Sequence, residues 1–274
     1  MDNNTVNICM ILDANYVNIT LMCINSIIES KDSDTYINFY VFGDKIDKDQ
    51  MLKFLTFSND KVKIHCYVVN SDSVSINTHR HLTSAMYLKF FIPQMVKDLD
   101  KILFLDCDLL VKKDLKSLYN IDLGDKLIGG VRDLSILRGN NRKTDINTGV
   151  MLLNLKKIRK TDFISKCLEA AEKIKQTDQE AINCVCKDDI KYIEPIYNLS
   201  YHRIIQGNIP QLNNIELWNQ AHGTSYKSIS DLKDKSVIWH FHGDKKELLK
   251  DKRLKSIYDN EFSKIQRIVN KDRK

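Results

Sequence analysis

Two carboxylates one residue apart, Asp106 and Asp108, follow directly on the apolar run Ile102-Leu-Phe-Leu105. Side chains alternate along a strand, so both acids would project from the same side of its end. Like charges held that close repel each other and lose hydration, and a divalent cation would compensate both. The plainer alternative is a pair of aspartates capping the next turn. Far along the chain, His240-Phe-His-Gly-Asp-Lys-Lys246 follows the apolar pair Ile238-Trp239, which places His240 at another strand end. A neutral imidazole beside two carboxylates suits Mn²⁺ better than Ca²⁺. Gly243 would admit an anion close to the backbone, and Lys246 would neutralise a phosphate. A surface loop with two satisfied histidines is the rival reading. In Asp145-Ile-Asn-Thr-Gly149, Asn147 and Thr148 offer an amide and a hydroxyl to a sugar at the entry to a buried strand, or simply make the turn. In Thr177-Asp-Gln-Glu180, Thr177 and Glu180 fit a capping box, which leaves Asp178 and Gln179 at a helix N-terminus facing the cleft.

These side chains need a scaffold. Residues 6–12 read as a strand, Asp13 to Tyr16 as a turn, and residues 17–29 as a helix, with apolar positions at 17, 21, 24, 27 and 28. A strand at 37–42, a helix at 48–57 capped by Asp47, a strand at 62–69 and a helix at 83–91 precede the D-x-D strand. Strands at 127–131, ending at Asp133, and at 149–155 come next, then helical sequence over 156–186 broken near Gln176-Thr177 and a strand at 191–193. Residues 196–234 read as loops and short helices shaping a binding face, and 236–240 as a last strand. The alternation predicts an α/β fold, a mostly parallel Rossmann-like sheet flanked by helices with a C-terminal helical tail. Two units are expected: residues 1–246 as the catalytic domain, and 247–274 as a basic amphipathic helix spaced by Leu254, Ile257, Tyr258, Ile265, Ile268 and Val269.

Composition narrows the partners. The chain has 274 residues and a net charge of +6, but eleven Lys/Arg against six Asp/Glu fall after residue 243, so the body is nearly neutral. That excludes a nucleic-acid-binding body and allows a tail resting on an anionic membrane, or simply a solvated lysine-rich helix. Seven cysteines without C-x-x-C pairs, mostly in apolar runs, suit a reducing cytoplasm. Neither a signal peptide nor a spanning helix is expected.

Taken in order, the segments L-D-A-N-Y near the start, K-I-L-F-L-D-C-D, D-I-N-T-G-V-M-L-L-N-L, D-Q-E-A-I-N and H-F-H-G-D-K-K resemble the family 8 glycosyltransferases over about residues 6–246. This group holds bacterial lipopolysaccharide glucosyl- and galactosyltransferases and glycogenin. The resemblance implies a GT-A fold and retaining transfer of a glucose or galactose from a UDP-sugar to a glycan or lipid-linked glycan acceptor. It implies Mn²⁺, with Mg²⁺ as its substitute, held by Asp106, Asp108 and His240. Asp13, Asn15 and Tyr16 would contact uridine, and Lys89 the donor sugar or phosphate. Asp133 and Asn147 would meet sugar hydroxyls, with Cys107 and Thr148 at the same donor site. Asp178 and Gln179 would lie beside the anomeric carbon, and Gly243 and Lys246 would clamp the pyrophosphate. The chain departs from the family in carrying Glu247-Leu248 where Pro-Trp often follows the clamp lysine, and Thr148 where a smaller residue is common. A member of this kind is expected in the cytoplasm, on the inner face of the membrane. Two rivals are a haloacid dehalogenase-like phosphatase, whose first aspartate is a covalent nucleophile, and a non-catalytic sugar-nucleotide or glycan-binding protein.

Overall fold

The structure is a computed structural model, and it describes residues 4–73, 84–134, 137, 145–174, 177–207, 209–241 and 250–271. Its first half alternates β1 (Thr5–Asp13), α1 (Val17–Ser30), β2 (Tyr36–Asp44), α2 (Lys48–Leu55) and β3 (Val62–Val69). A 3-10 helix (Ser84–Phe91) runs into the short α3 (Ile92–Met95), then β4 (Ile102–Leu105), β5 (Leu109–Val111), α4 (Lys116–Tyr119) and β6 (Ile128–Arg132). The second half continues with β7 (Ile146–Leu153), α5 (Leu155–Ile158), α6 (Phe163–Ile174), α7 (Asp178–Cys186) and β8 (Ile190–Tyr192). It closes with α8 (Tyr201–Gln206), α9 (Ile215–His222), α10 (Ile229–Lys235), β9 (Ile238–His240) and α11 (Lys252–Lys271).

Among the described residues the main sheet is ordered β3-β2-β1-β4-β7-β6-β8. β1 runs parallel to β2 and β4, β2 to β3, and β6 to β8, while β7 is antiparallel to both its neighbours. β4 shows why its sequence is apolar without alternation. Leu103 and Leu105 enter the core shared with α1 and α2, while Ile102 and Phe104 enter the core under the 3-10 helix, α6 and α7. All four are fully buried. The carboxyl ends of β1, β4 and β6 therefore share one edge, where open α/β sheets bind their ligands.

Two local expectations are revised, and one strand is new. β7 begins at Ile146, so Asn147-Thr148-Gly149 is strand rather than turn, held in the ladder by Arg132 opposite Ile146. The helix expected at 83–91 is 3-10: Pro93, near the start of α3, cannot continue an α-helical ladder from the preceding turn. Leu109–Val111 forms a separate strand, β5, paired antiparallel with β9. The region over 196–234 folds around its own apolar cluster, with Leu199, Ile204, Leu212, Trp218 and Leu232 buried in it. α11 lies along α1, with Leu254 and Ile265 buried and Lys264 Nζ 2.8 Å from Glu29. No described helix is long and apolar enough to cross a membrane.

Candidate active site and metal centre

Asp106 leaves the end of β4 with its N–H bonded to the Gly149 carbonyl at 2.8 Å, which continues the β4–β7 ladder by one residue. The β5–β9 ladder pairs Leu109 with His240 and so carries the imidazole to Asp108, with Nε2 3.2 Å from Oδ1. One ligand atom each from Asp106, Asp108 and His240 lies within 4.8 Å of the others. The surrounding backbone fits a cation there. A Cβ on Gly149 would stand 2.3 Å from His240 Cε1 and 2.8 Å from Asp106 Oδ2, so the strand keeps this space clear of side chain. Two carboxylates and one imidazole form a donor set for a borderline divalent ion such as Mn²⁺.

Asp106 divides its two oxygens. Oδ1 receives Lys89 Nζ at 3.1 Å, while Oδ2 faces the Gly149 and His240 side. Lys89 also reaches Asp178 Oδ2 at 2.7 Å and sits over the Phe104 ring. Burial disfavours its charge, yet the two carboxylates outweigh burial and hold its pKa above the ordinary lysine range. Burial pushes the Asp106 carboxyl up, Lys89 opposes this, and the Asp108 charge adds to it.

Asp178 and Gln179 open α7, where the Thr177 N–H donates to the Glu180 carboxylate at 3.0 Å in the expected capping box. Gln179 Oε1 accepts from Asn147 Nδ2 and from the Thr148 N–H, both at 3.2 Å, and its Nε2 lies 3.4 Å from Asp133 Oδ2. The Thr148 side chain is buried, so its link to this group is through the backbone. Asp13 caps the 3-10 turn after β1 by accepting from the Asn15 N–H at 2.8 Å. Asp13, Tyr16, Met86, Lys89, Asp106 and Asp108 line an open cleft of ≈ 210 Å³. Burial, with Asp108 and Asp13 nearby, pushes the Tyr16 phenol up to about 12, so it stays protonated. The Cys107 side chain is buried, with its thiol 3.3 Å from the Ile11 carbonyl at the floor of the cleft.

The structure thus brings together Asp13, Tyr16, Lys89, Asp106, Cys107 and Asp108 around one cleft, with Asp133, Asn147, Thr148, Asp178, Gln179 and His240 joined to them through contacts. Asn15 is exposed at the rim. Gly243 and Lys246 lie outside the described residues. Asn198 was not anticipated from the sequence. Its Oδ1 is 2.8 Å from His240 Nδ1, and its Nδ2 donates to Asn147 Oδ1 at 2.9 Å. Its only sequence signal is a polar residue between Ile196-Tyr197 and Leu199, which does not identify a function.

The architecture matches solved transferases. LgtC, a galactosyltransferase solved in complex with donor and acceptor sugar analogs, superposes with a TM-score of 0.75 at 22% identity, covering 97% of this chain and 96% of that one. GlyE of Streptococcus pneumoniae TIGR4 gives a TM-score of 0.71 at 19% identity, over 98% of this chain and 63% of its own. At these identities the likeness establishes the GT-A fold. In sequence, the glycosyltransferase GlyF of Streptococcus pneumoniae is 32% identical over 45% of this chain, and a putative glycosyltransferase of Haemophilus influenzae is 26% identical over 72%. The chain spans 31% and 64% of those two relatives. The Glycosyl transferase family 8 profile matches residues 7–247, which contain every residue of the site just described. The chain belongs to glycosyl transferase family 8.

Proposed function

We propose that the protein transfers a hexose, glucose or galactose, from a UDP-sugar to a hydroxyl of a glycan or lipid-linked glycan, with retention at the anomeric carbon. The observation that carries this reading is the convergence of Asp106, Asp108 and His240 at the carboxyl edge of the sheet, beside the cleft lined by Asp13, Tyr16 and Lys89. A divalent cation bound there, Mn²⁺ by its donor set, would supply Lewis-acid stabilisation of the diphosphate leaving group. The protein's own residues do the rest. Asp13 and Tyr16 hold the nucleotide end of the cleft. Lys89 fixes one oxygen of Asp106, so that the other stays turned toward His240. Gln179, held by the Thr148 N–H and by Asn147, presents its amide toward the reacting face and stabilises positive charge developing on the sugar. In the segment beyond the described residues, Lys246 would add a point charge on the diphosphate, with Gly243 admitting it to the backbone.

The relatives are bacterial, which fits an acceptor that is a surface glycan, lipopolysaccharide in a Gram-negative source, built at the inner face of the membrane. Contact with that membrane through α11 would be electrostatic. Its apolar residues Leu254 and Ile265 are buried against the body, and part of its charge is already paired, Lys264 with Glu29 and Arg253 with Asp251.

The test is a panel of UDP-sugars with and without Mn²⁺, scored for UDP release. We expect UDP-glucose or UDP-galactose to turn over only with the metal, and Asp106→Ala and Asp108→Ala to lose at least about a hundredfold while remaining folded. Mn²⁺-dependent turnover retained in either variant would remove the metal assignment, and phosphate release from simple esters would favour a phosphatase.

A further inference from the structure

A continuous chain of amide groups joins the candidate metal ligand to the residue beside the reacting carbon, and its polarity is determined by two backbone amides. The Gly149 N–H can only donate, and it points at Asn147 Oδ1 at 3.1 Å. Asn147 therefore presents oxygen there, and the Asn198 atom 2.9 Å from that same oxygen is a donor, Nδ2. Asn198 Oδ1 then faces His240 Nδ1 at 2.8 Å, and an amide oxygen only accepts. The proton of the neutral imidazole is thus held on Nδ1. Nε2 keeps its lone pair on the side of Asp108 Oδ1, 3.2 Å away, where a cation would satisfy both. At the other end the Thr148 N–H, 3.2 Å from Gln179 Oε1, fixes that oxygen and turns Nε2 toward Asp133.

Local structure explains why Asn198 can do this. Leu199 bridges Trp239 in parallel: the Leu199 N–H donates to the Ile238 carbonyl at 3.0 Å, and the His240 N–H donates back to the Leu199 carbonyl at 2.8 Å. That pairing sets residue 198 beside residue 240, and the Asn198 side chain is buried, which makes its hydrogen bonds strong and their loss costly. His202 Nδ1, 3.2 Å from the His240 carbonyl, steadies the backbone of the same residue.

We propose that Asn198 is a positioning residue. By accepting from His240 Nδ1 it selects the tautomer that offers Nε2 to the cation, and by donating to Asn147 Oδ1 it locks, together with the Gly149 N–H, the amide orientation that Asn147 passes to Gln179. This rests on the metal-dependent transfer proposed above. It goes further in making cation affinity and the placement of Gln179 separable functions of one side chain.

The separation comes from two variants. Asn198→Ala removes both contacts. Asn198→Asp keeps the acceptor for Nδ1–H but has no proton to give Asn147. Mn²⁺ affinity of the full chain is measured without donor by electron paramagnetic resonance of the free ion, and the His240 tautomer by ¹⁵N-histidine NMR of the metal-free protein. In N198A we expect Mn²⁺ binding weakened by about 10–100-fold, the usual effect of losing an outer-shell partner, together with loss of the single Nδ1–H pattern. In N198D we expect Mn²⁺ binding no weaker than wild type and an intact tautomer, with kcat lowered by about 10–100-fold and KM for the donor changed far less. N198A with wild-type affinity, or with weakened affinity but an unchanged ¹⁵N pattern, overturns the proposal. If N198A does not fold, N198D decides: wild-type kcat overturns the link to Gln179. A wild-type protein that binds no Mn²⁺ sinks the proposed function instead, and the ¹⁵N pattern still decides whether Asn198 selects the tautomer.

Discussion

At Gly149 the side chain is absent because its space is taken: any Cβ would press on His240 Cε1 and Asp106 Oδ2 at once. Gly149→Ala should therefore displace a metal ligand by a fraction of an ångström. We expect Mn²⁺ affinity and kcat to fall by about a hundredfold, a loss typical of such misplacement, measured by metal titration and UDP release. Far-ultraviolet dichroism should stay native, since one added methyl leaves β7 paired with β4 and β6. Lys89 poses the opposite case, a charge whose removal strands its partners. Its side chain is 12% exposed, that of Asp178 7% and that of Asp106 30%, so Lys89→Met leaves one buried and one half-buried carboxylate without their cation. Loss of one member of such a group costs about 3–5 kcal/mol. Mn²⁺ should restore part of this, so the melting temperature of K89M should rise more on adding the metal than that of wild type. An equal rise in both would mean that Lys89 and the metal site are not electrostatically coupled. At this scale the sequence was informative wherever a residue's type already implied the chemistry, as for Asp106, Asp108 and His240. It was silent on Asn198, because an asparagine acquires this role only from the strand bridge beside it.

Among the elements, β4 was legible because burial on both faces leaves an unbroken apolar run, and α7 because its capping box is local. β5 escaped notice, since three residues carry no periodicity and its register comes entirely from β9. The antiparallel direction of β7 was equally hidden: a fully buried strand reads the same either way, and only its pairing with β4 and β6 sets its sense. The C-terminal helix was read correctly from spacing, but spacing does not reveal which surface it covers. Ile265, 3% exposed in the core shared with α1, should cost about 2–5 kcal/mol when cut to alanine, read from urea melts. A negligible cost would mean that α11 is held by its charges alone. α9 carries a pH effect of definite sign. His222 stacks on Trp218, and burial, with Arg132 nearby, pushes its pKa down to about 4 from 6.5. The unfolded chain takes up the proton first. The contribution is therefore whole above pH 6.5 and is lost as pH falls toward about 4, at roughly 1.4 kcal/mol per pH unit. His222→Gln should flatten that part of the stability profile between about pH 4 and about pH 6.5, and an unchanged slope would place the titration elsewhere.

For the whole molecule the decisive feature is how far apart in sequence the site's parts lie. Asp106 and Asp108 leave β4, and His240 comes from β9 some hundred and thirty residues later, after the β7 and α7 segments that complete the site. A ligand bridging such distant segments binds the folded chain and has almost no affinity for the unfolded one, so its binding free energy adds directly to stability. At a hundredfold excess over its Kd, Mn²⁺ should contribute about 2.7 kcal/mol, which for a chain of this size raises the melting temperature by roughly 5–10 °C. Because Ile265 of α11 and Leu103 of β4 belong to one core, the rise should move a single cooperative transition rather than split it. EDTA should reverse the shift. Asp108→Ala should abolish it, whereas Asp133→Ala, which loses the contact to Gln179, should keep it while turning over more slowly. A shift that survives in D108A would mean the ion binds elsewhere, and one lost in D133A would extend the metal site to Asp133. The same melts therefore test from the stability of the fold what UDP release tests from its chemistry: whether these remote carboxylates and the imidazole hold one cation between them.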